Sequence, residues 1–275
     1  MEREASEVAL AVEALYGLRE LATEGVVHVG AVTRVEDGLL HVIKIGPKSP
    51  KSATDFFVLN LCRARCDAIL TTAANLRAEP DLMHTLQGPW ATHLGRYRES
   101  LGKSTPPTCV ILTGSGDVPA EHPVWDDGTP KVVLTTESAA SALRWLVGDR
   151  AEVVPVRALD ARRACEVLRE RGHGLISVEA GPTTARGLYE PPSAVDELLL
   201  SICDDSALHP ELIGEALPDD ARMFRGRLRT SEQTRREESG SWRFQRWIRT
   251  DAPPSLAPPS PLGTLRPQFG GRGGL

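Results

Sequence analysis

This 275-residue sequence lacks a basic excess: 32 lysines and arginines stand against 37 aspartates and glutamates, a formal charge of −5. Neutralising a phosphate backbone requires a clear positive surplus, so a dedicated nucleic-acid binder is excluded. The arginines at 225, 227, 229, 235 and 236 read as a solvated hairpin. Nor does any apolar run approach the roughly 20 residues that cross a bilayer, so no membrane partner is expected. Cysteines number five, odd and scattered at 62, 66, 109, 165 and 203, with no signal peptide ahead of them. That usage fits a reducing cytoplasm and excludes a disulfide framework. Cys62 and Cys66 form a C-x3-C pair without histidines or further paired cysteines beside it, poor zinc chemistry, and read as packing residues. His84, His93, His122, His173 and His209 show no metal-ligand spacing, so no metal is expected and no histidine is assigned to catalysis. The G-x-G-x-x-G fingerprint and any internal repeat are also missing.

What is present is an alternation of strands and helices. "EREASEVALAVEALYGLREL" places Val8, Ala11, Leu15 and Leu18 at helical spacing, which predicts an amphipathic helix within residues 1–24, packed outside the core. "VVHVGAVTRV" (26–35) has the β-branched content of a strand and closes at the turn signal Asp37-Gly38; residues 44–51 form a loop. Residues 55–66 carry helical spacing, then "DAILTT" (67–72), "CVILTG" (109–114), "KVVLTT" (131–136), "AEVVPV" (151–156), "LISVEA" (175–180) and "DELLLSI" (196–202) read as buried strands. Helices over 137–147 and 160–172 intervene. Such alternation predicts an α/β fold with a mainly parallel sheet and ligands at the strands' carboxyl ends. "RMFRGRLRT" and "SWRFQRWIRT", separated by the charged "SEQTRREESG", predict an antiparallel pair closing the sheet. The core domain then spans 25–250, and the Pro/Gly/Ser-rich tail 251–275 is expected to be disordered.

Three strand exits share a design. "ILTTAANLRAEP", "ILTGSGDVP" and "VEAGPTTARG" each place glycine, alanine and hydroxyl residues where backbone N–H groups and side-chain oxygens can approach an anion. Strand-to-helix turns also use these residues for ordinary capping, so each loop alone says little.

Together, "DAILTTAANLRAEPDL", "VILTGSGDVP" and "VEAGPTTARGLYEPPSAVDELLLSI", in this order and spacing, resemble the pyrimidine reductases of riboflavin biosynthesis. These are the reductase half of the bifunctional deaminase–reductase, with a dihydrofolate-reductase-like fold. The resemblance runs from about Val27 to Arg249. The deaminase half has no counterpart here, since His-x-Glu with Pro-Cys-x-x-Cys is absent. What the resemblance implies is a cytoplasmic, homodimeric enzyme that uses NADPH to reduce a small-molecule substrate, a ribosylaminopyrimidine phosphate, by hydride transfer to ribose C1. On the cofactor side it implies Thr72, Asn75 and Glu79 at the first exit and Ser115 and Gly116 at the second. Ala180, Gly181, Pro182, Thr183 and Thr184 form the pyrophosphate-facing turn of the third. On the substrate side it implies Asp37, Ser52, Arg63, Leu82 and Glu179, with Glu179 the catalytic acid and Arg63 gripping the phosphate. Departures are concentrated on the substrate side: Val35-Glu36 replaces Ser-Leu, residues 44–51 lack the usual Gly/Ser pattern, and the basic residue expected shortly after Leu82 is missing, with His84 nearby. Asn75 replaces a threonine. Lys103 and Arg144 are candidates for a 2′-phosphate by sequence proximity alone.

Each of these residues also has a plain structural reading. Glu179 could satisfy N–H groups at a helix start; Arg63 could lie on a solvated face, paired with Asp55 or Asp67. Ser52 could cap a helix, and Asp37-Gly38 could be a turn and nothing more. Two rival functions stay open beside the pyrimidine reductase: reduction of a pterin or dihydrofolate, and a non-catalytic nucleotide-binding relative.

Overall fold

Alternate residues along the central strands face opposite layers of the protein, as a sheet covered on both sides demands. Val110 joins one core cluster while Cys109 and Ile111 join another. The computed structural model describes residues 2–204 and 208–250; the tail 251–275 lies outside them. In chain order the elements are α1 (Glu2–Tyr16), β1 (Gly25–Arg34), β2 (Leu40–Ile43), α2 (Ala53–Arg65), β3 (Ala68–Thr72), α3 (Ala73–Ala78), α4 (Ala91–Ser100), β4 (Thr108–Thr113), β5 (Lys131–Thr135), α5 (Glu137–Val147), β6 (Glu152–Pro155), α6 (Ala161–Glu170), β7 (Leu175–Val178), α7 (Pro182–Ala185), β8 (Glu197–Cys203), β9 (Ile213–Ala216), α8 (Asp220–Met223), β10 (Arg227–Glu237) and β11 (Gly240–Arg249).

The sheet runs β10-β11-β8-β1-β7-β3-β4-β5-β6, with β2 paired to β1 and β9 to β2. From β8 to β6 every neighbouring pair is parallel; β11 and β10 close the other side antiparallel. One face is covered by α6, whose Ala164, Cys165 and Leu168 pack on Leu70, Val110 and Ile176. The opposite face carries α1, α2 and α4 over β1, β7 and β8, and α3 and α5 over β4 and β5. Helix α1 buries Val8, Val12, Leu15 and Tyr16 in the same cluster as Val27 and Val29, so it forms part of that layer rather than sitting outside the core. Among the described residues no helix is long and apolar enough to cross a membrane.

The C-terminal hairpin departs from the expected boundaries. "SEQTRREESG" is not a separator: β10 continues through it to Glu237, and Arg222 and Met223 belong to α8. Nearly every side chain of β10 points to solvent, so this edge strand carries charge without apolar alternation, which blunts an open sheet edge.

For the site, the arrangement that matters is β7-β3-β4. These three parallel strands are adjacent, with Val178 opposite Leu70 and Thr72 opposite Leu112. Their carboxyl ends, and the three loops that follow them, lie side by side.

Candidate active site

Beyond the end of β7 the chain stays in register for one more residue: the Glu179 N–H donates to the Leu70 carbonyl at 2.9 Å. Asn75 ties the first and third exits together, its Nδ2 donating to the Glu179 carbonyl at 2.9 Å. Thr72 caps α3, its Oγ1 accepting the Asn75 N–H at 3.1 Å. The second exit closes where Thr113 Oγ1 accepts the Gly116 N–H at 3.1 Å. Gly116 has φ +79° and a Cβ there would lie 3.0 Å from the Ala139 methyl, so torsion and packing both require glycine. Gly181 is the opposite case. Its φ is −63°, and an added Cβ would meet no atom within 4 Å. Neither the backbone nor the packing of this chain requires glycine at that position; the missing side chain leaves open space over the turn. Ala74, Gly114, Ser115 and Thr183, in the three exit loops, are exposed.

The Glu179 side chain does not serve a helix start. Its carboxylate takes a fork from Arg63, with Nε 2.9 Å from Oε1 and Nη2 2.7 Å from Oε2. Arg63 is 2% exposed and Glu179 9%, so this is a buried ion pair. Burial alone would lower the Arg63 pKa, but the facing carboxylate outweighs it and raises it. Arg63 Nη1 donates to the carbonyls of Met83 and Thr85 at 2.9 and 3.3 Å. The solvated-face reading of Arg63 therefore falls, as does pairing with Asp55 or Asp67. The phosphate grip also needs revision, because the guanidinium is committed to Glu179 and two carbonyls, and its stem lies inside the protein.

Glu79 lies half-buried near this pair, its carboxyl raised by burial and by Glu179, with Arg63 partly offsetting both. Its carbonyl meets His122 Nε2 at 3.0 Å. Leu82 is half-buried against the cluster around α5 and β4. His84, given no role from sequence, is buried with its Nε2 3.9 Å from Glu179 Oε2; nothing in its local spacing marks it, since the partner is distant in sequence.

Two expected residues lie elsewhere, Ser52 and Asp37. Ser52 caps α2, its Oγ accepting the Asp55 N–H at 2.9 Å. Asp37 is held in the β1–β2 turn, accepting from the Leu39 N–H and meeting His41 Nε2, both at 2.8 Å. Strand β1 passes the level of Val178 at His28 and continues to Arg34, about 20 Å further at ~3.3 Å per residue, so Asp37 is not brought to Glu179. Thr183 Oγ1 donates to Glu215 Oε2 at 2.6 Å. Neither 2′-phosphate candidate reaches the second exit: Lys103 pairs with Asp67 at the start of β3, and Arg144 points to the Val153 carbonyl. An open concavity of about 600 Å³ lies beside Ser52 rather than over the exits, lined by Lys48, Ser49, Lys51, His209, Leu212 and Glu238 among others. Strand β9 links the two regions, since Leu212 borders the concavity and Glu215 reaches the third exit.

A mainly parallel sheet that gathers a clamped carboxylate and small-residue turns at adjacent strand exits defines a mixed α/β protein with its candidate site at the strands' carboxyl ends. The chain belongs to the RibD C-terminal domain family, reductases of riboflavin biosynthesis, whose pattern matches residues 37–233. Among solved structures it is similar to a pyrimidine reductase-like protein from Corynebacterium diphtheriae, with TM-score 0.64 and 19% identity over 86% of this chain and 98% of that one. Acinetobacter baumannii RibD follows at TM-score 0.55 and 14% identity, over 82% of this chain and 58% of that one. The riboflavin biosynthesis reductase Rib7 of Saccharomyces cerevisiae aligns at TM-score 0.51 and 15% identity, over 87% and 98%. At such identities the likeness is one of fold. No curated protein sequence matches the chain.

Proposed function

We propose that this protein is an NADPH-dependent reductase of a ribosylaminopyrimidine phosphate, of the 5-amino-6-ribosylaminouracil 5′-phosphate type, converting its ribosylamino group to ribitylamino. The observation that carries this reading is the juxtaposition at the third exit: Glu179, fixed by Arg63, stands two residues before Gly181, whose absent side chain leaves space that the fold itself does not need. The small residues of the three exits fit an extended nucleotide lying across β7, β3 and β4, with Gly181, Thr183 and Thr184 toward its phosphates and Ser115 and Gly116 toward its adenosine end. Bound there, NADPH supplies the hydride that adds to C1 of the open-chain imine.

The protein's own contribution is alignment and charge. An ionised carboxylate offers about four lone-pair directions; Arg63 takes one on Oε1 and, through Nη2 and a shared Nε–H, the near side of Oε2. Glu179 therefore keeps acceptor capacity for the iminium N–H while Arg63 prevents its rotation. As hydride adds to C1, the C=N pair moves to nitrogen, the positive charge is lost, and the amine is left neutral with its existing proton; the proton that first made the iminium comes from water. In this reading Arg63, committed to Glu179, does not take the substrate phosphate. The same reading makes the enzyme a cytoplasmic homodimer.

The test is loss of NADPH absorbance with the ribosylaminopyrimidine phosphate and, separately, with dihydrofolate. Turnover on the first is expected. Turnover on dihydrofolate alone would establish the pterin reading, and NADPH binding without oxidation on either would leave a non-catalytic relative.

A further inference from the structure

His84 is fully buried, yet neither ring nitrogen has a hydrogen-bond partner among the described residues. Buried polar groups are nearly always satisfied, and a doubly orphaned imidazole is costly to keep. Its Nε2 stands 3.9 Å from Glu179 Oε2, beyond a hydrogen bond and too close for a water between them. The loop that carries it is pinned on both sides: Arg63 Nη1 holds the carbonyls of Met83 and Thr85 at 2.9 and 3.3 Å, and the Gln87 N–H donates to Asn60 Oδ1 at 2.8 Å. The guanidinium that clamps Glu179 thus also fixes the backbone on either side of His84.

We infer that His84 is a positioning residue for Glu179: a shift of about 1 Å brings its Nε2–H onto Oε2, so that Arg63 and His84 together fix the carboxylate for the substrate. This rests on the reading in which Glu179 faces the substrate. The ring is neutral at ordinary pH, because burial pushes it down to about 4; Glu179 and Asp127 pull it up, and Arg63 and His122 push it further down. A neutral imidazole suits the position: it offers one donor without placing a second cation against Arg63.

The test compares wild type with His84→Phe, which removes the donor at similar size, and His84→Gln, which restores an N–H. In wild type, nitrogen-resolved NMR of the histidine side chains should show one neutral ring protonated at Nε2, its proton protected from exchange, absent in both variants and shifted in Glu179→Gln. In turnover, His84→Phe should lower kcat at least tenfold with the NADPH affinity unchanged, and His84→Gln should recover most of the loss. A ring protonated at Nδ1 only, or equal kcat in His84→Phe and wild type, or equal loss in both variants, overturns the inference. If wild type does not turn over the ribosylaminopyrimidine phosphate, the functional reading fails, and the NMR arm still decides whether His84 and Glu179 meet.

Discussion

At the scale of single residues, the site is governed by the asymmetry between breaking a buried ion pair and removing it. Glu179→Gln leaves the Arg63 charge inside the protein without a counter-ion, a loss of about 3–5 kcal/mol, whereas Arg63→Met with Glu179→Leu replaces both charges by apolar volume. Thermal melts should show the double variant more stable than Glu179→Gln; additive losses would mean that the two side chains do not depend on each other. At a temperature where Glu179→Gln remains folded, turnover should fall at least tenfold, about 1.4 kcal/mol of barrier, with NADPH affinity nearly intact. An unchanged rate removes Glu179 from the chemistry. Arg63 and Glu179 were each legible through the motifs around them, but their pairing was not. They are 116 positions apart, and the packing of α2 against β7 brings them together. His84 was marked in sequence only by its nearness to a missing basic residue; its proximity to Glu179 was not legible, because an orphaned nitrogen is a property of the packed interior.

At the scale of elements, the two glycine turns make opposite predictions. Gly116→Val forces a β-branched residue into φ +79° and against the Ala139 methyl 3.0 Å away, and should cost stability of at least about 1 kcal/mol. Gly181→Val meets no protein atom within 4 Å and should leave the melting temperature almost unmoved, while weakening NADPH binding in a fluorescence titration by filling the space over the turn. Equal NADPH affinity in Gly181→Val would place the phosphates elsewhere. The central strands were legible because parallel strands covered on both faces read as continuous apolar runs: β3, β4, β5, β7 and β8 fall within a residue or two of expectation. Helix α4 was not, since only Leu94, Tyr97 and Arg98 turn inward. Strands β2 and β9, four residues each, are too short for a period-2 pattern to register. Edge strand β10 shows mostly charge because solvent, not a core, surrounds it.

At the scale of the whole molecule, a second buried charge cluster lies beside the site, two strands across the sheet, because Val27 of β1 pairs with both Glu197 of β8 and Ser177 of β7. Glu197, the first residue of β8, accepts from Arg65 of α2 at 2.7 Å and from Arg246 of β11 at 2.5 Å. Arg65 also donates to the Ala22 carbonyl at 2.6 Å, in the segment between α1 and β1. One carboxylate therefore joins a helix layer, the parallel sheet and the antiparallel strands that close it. Burial pushes the Glu197 carboxyl up, but the two guanidiniums outweigh it and hold it below its ordinary value. A carboxyl lowered in the folded state adds stability that is complete above its unfolded value of about 4.3 and is lost as pH falls through the lower folded value. Glu197→Gln should cost about 3–5 kcal/mol at neutral pH, roughly 10 °C in melting temperature at ~2–4 °C per kcal/mol, because two buried guanidiniums lose their counter-ion. The gap between wild type and Glu197→Gln should narrow as pH drops below about 4, where wild type begins to protonate the same oxygen atoms. Melts of both proteins from pH 3 to 8 measure it directly, and a gap constant across that range would mean that the cluster contributes through packing rather than charge.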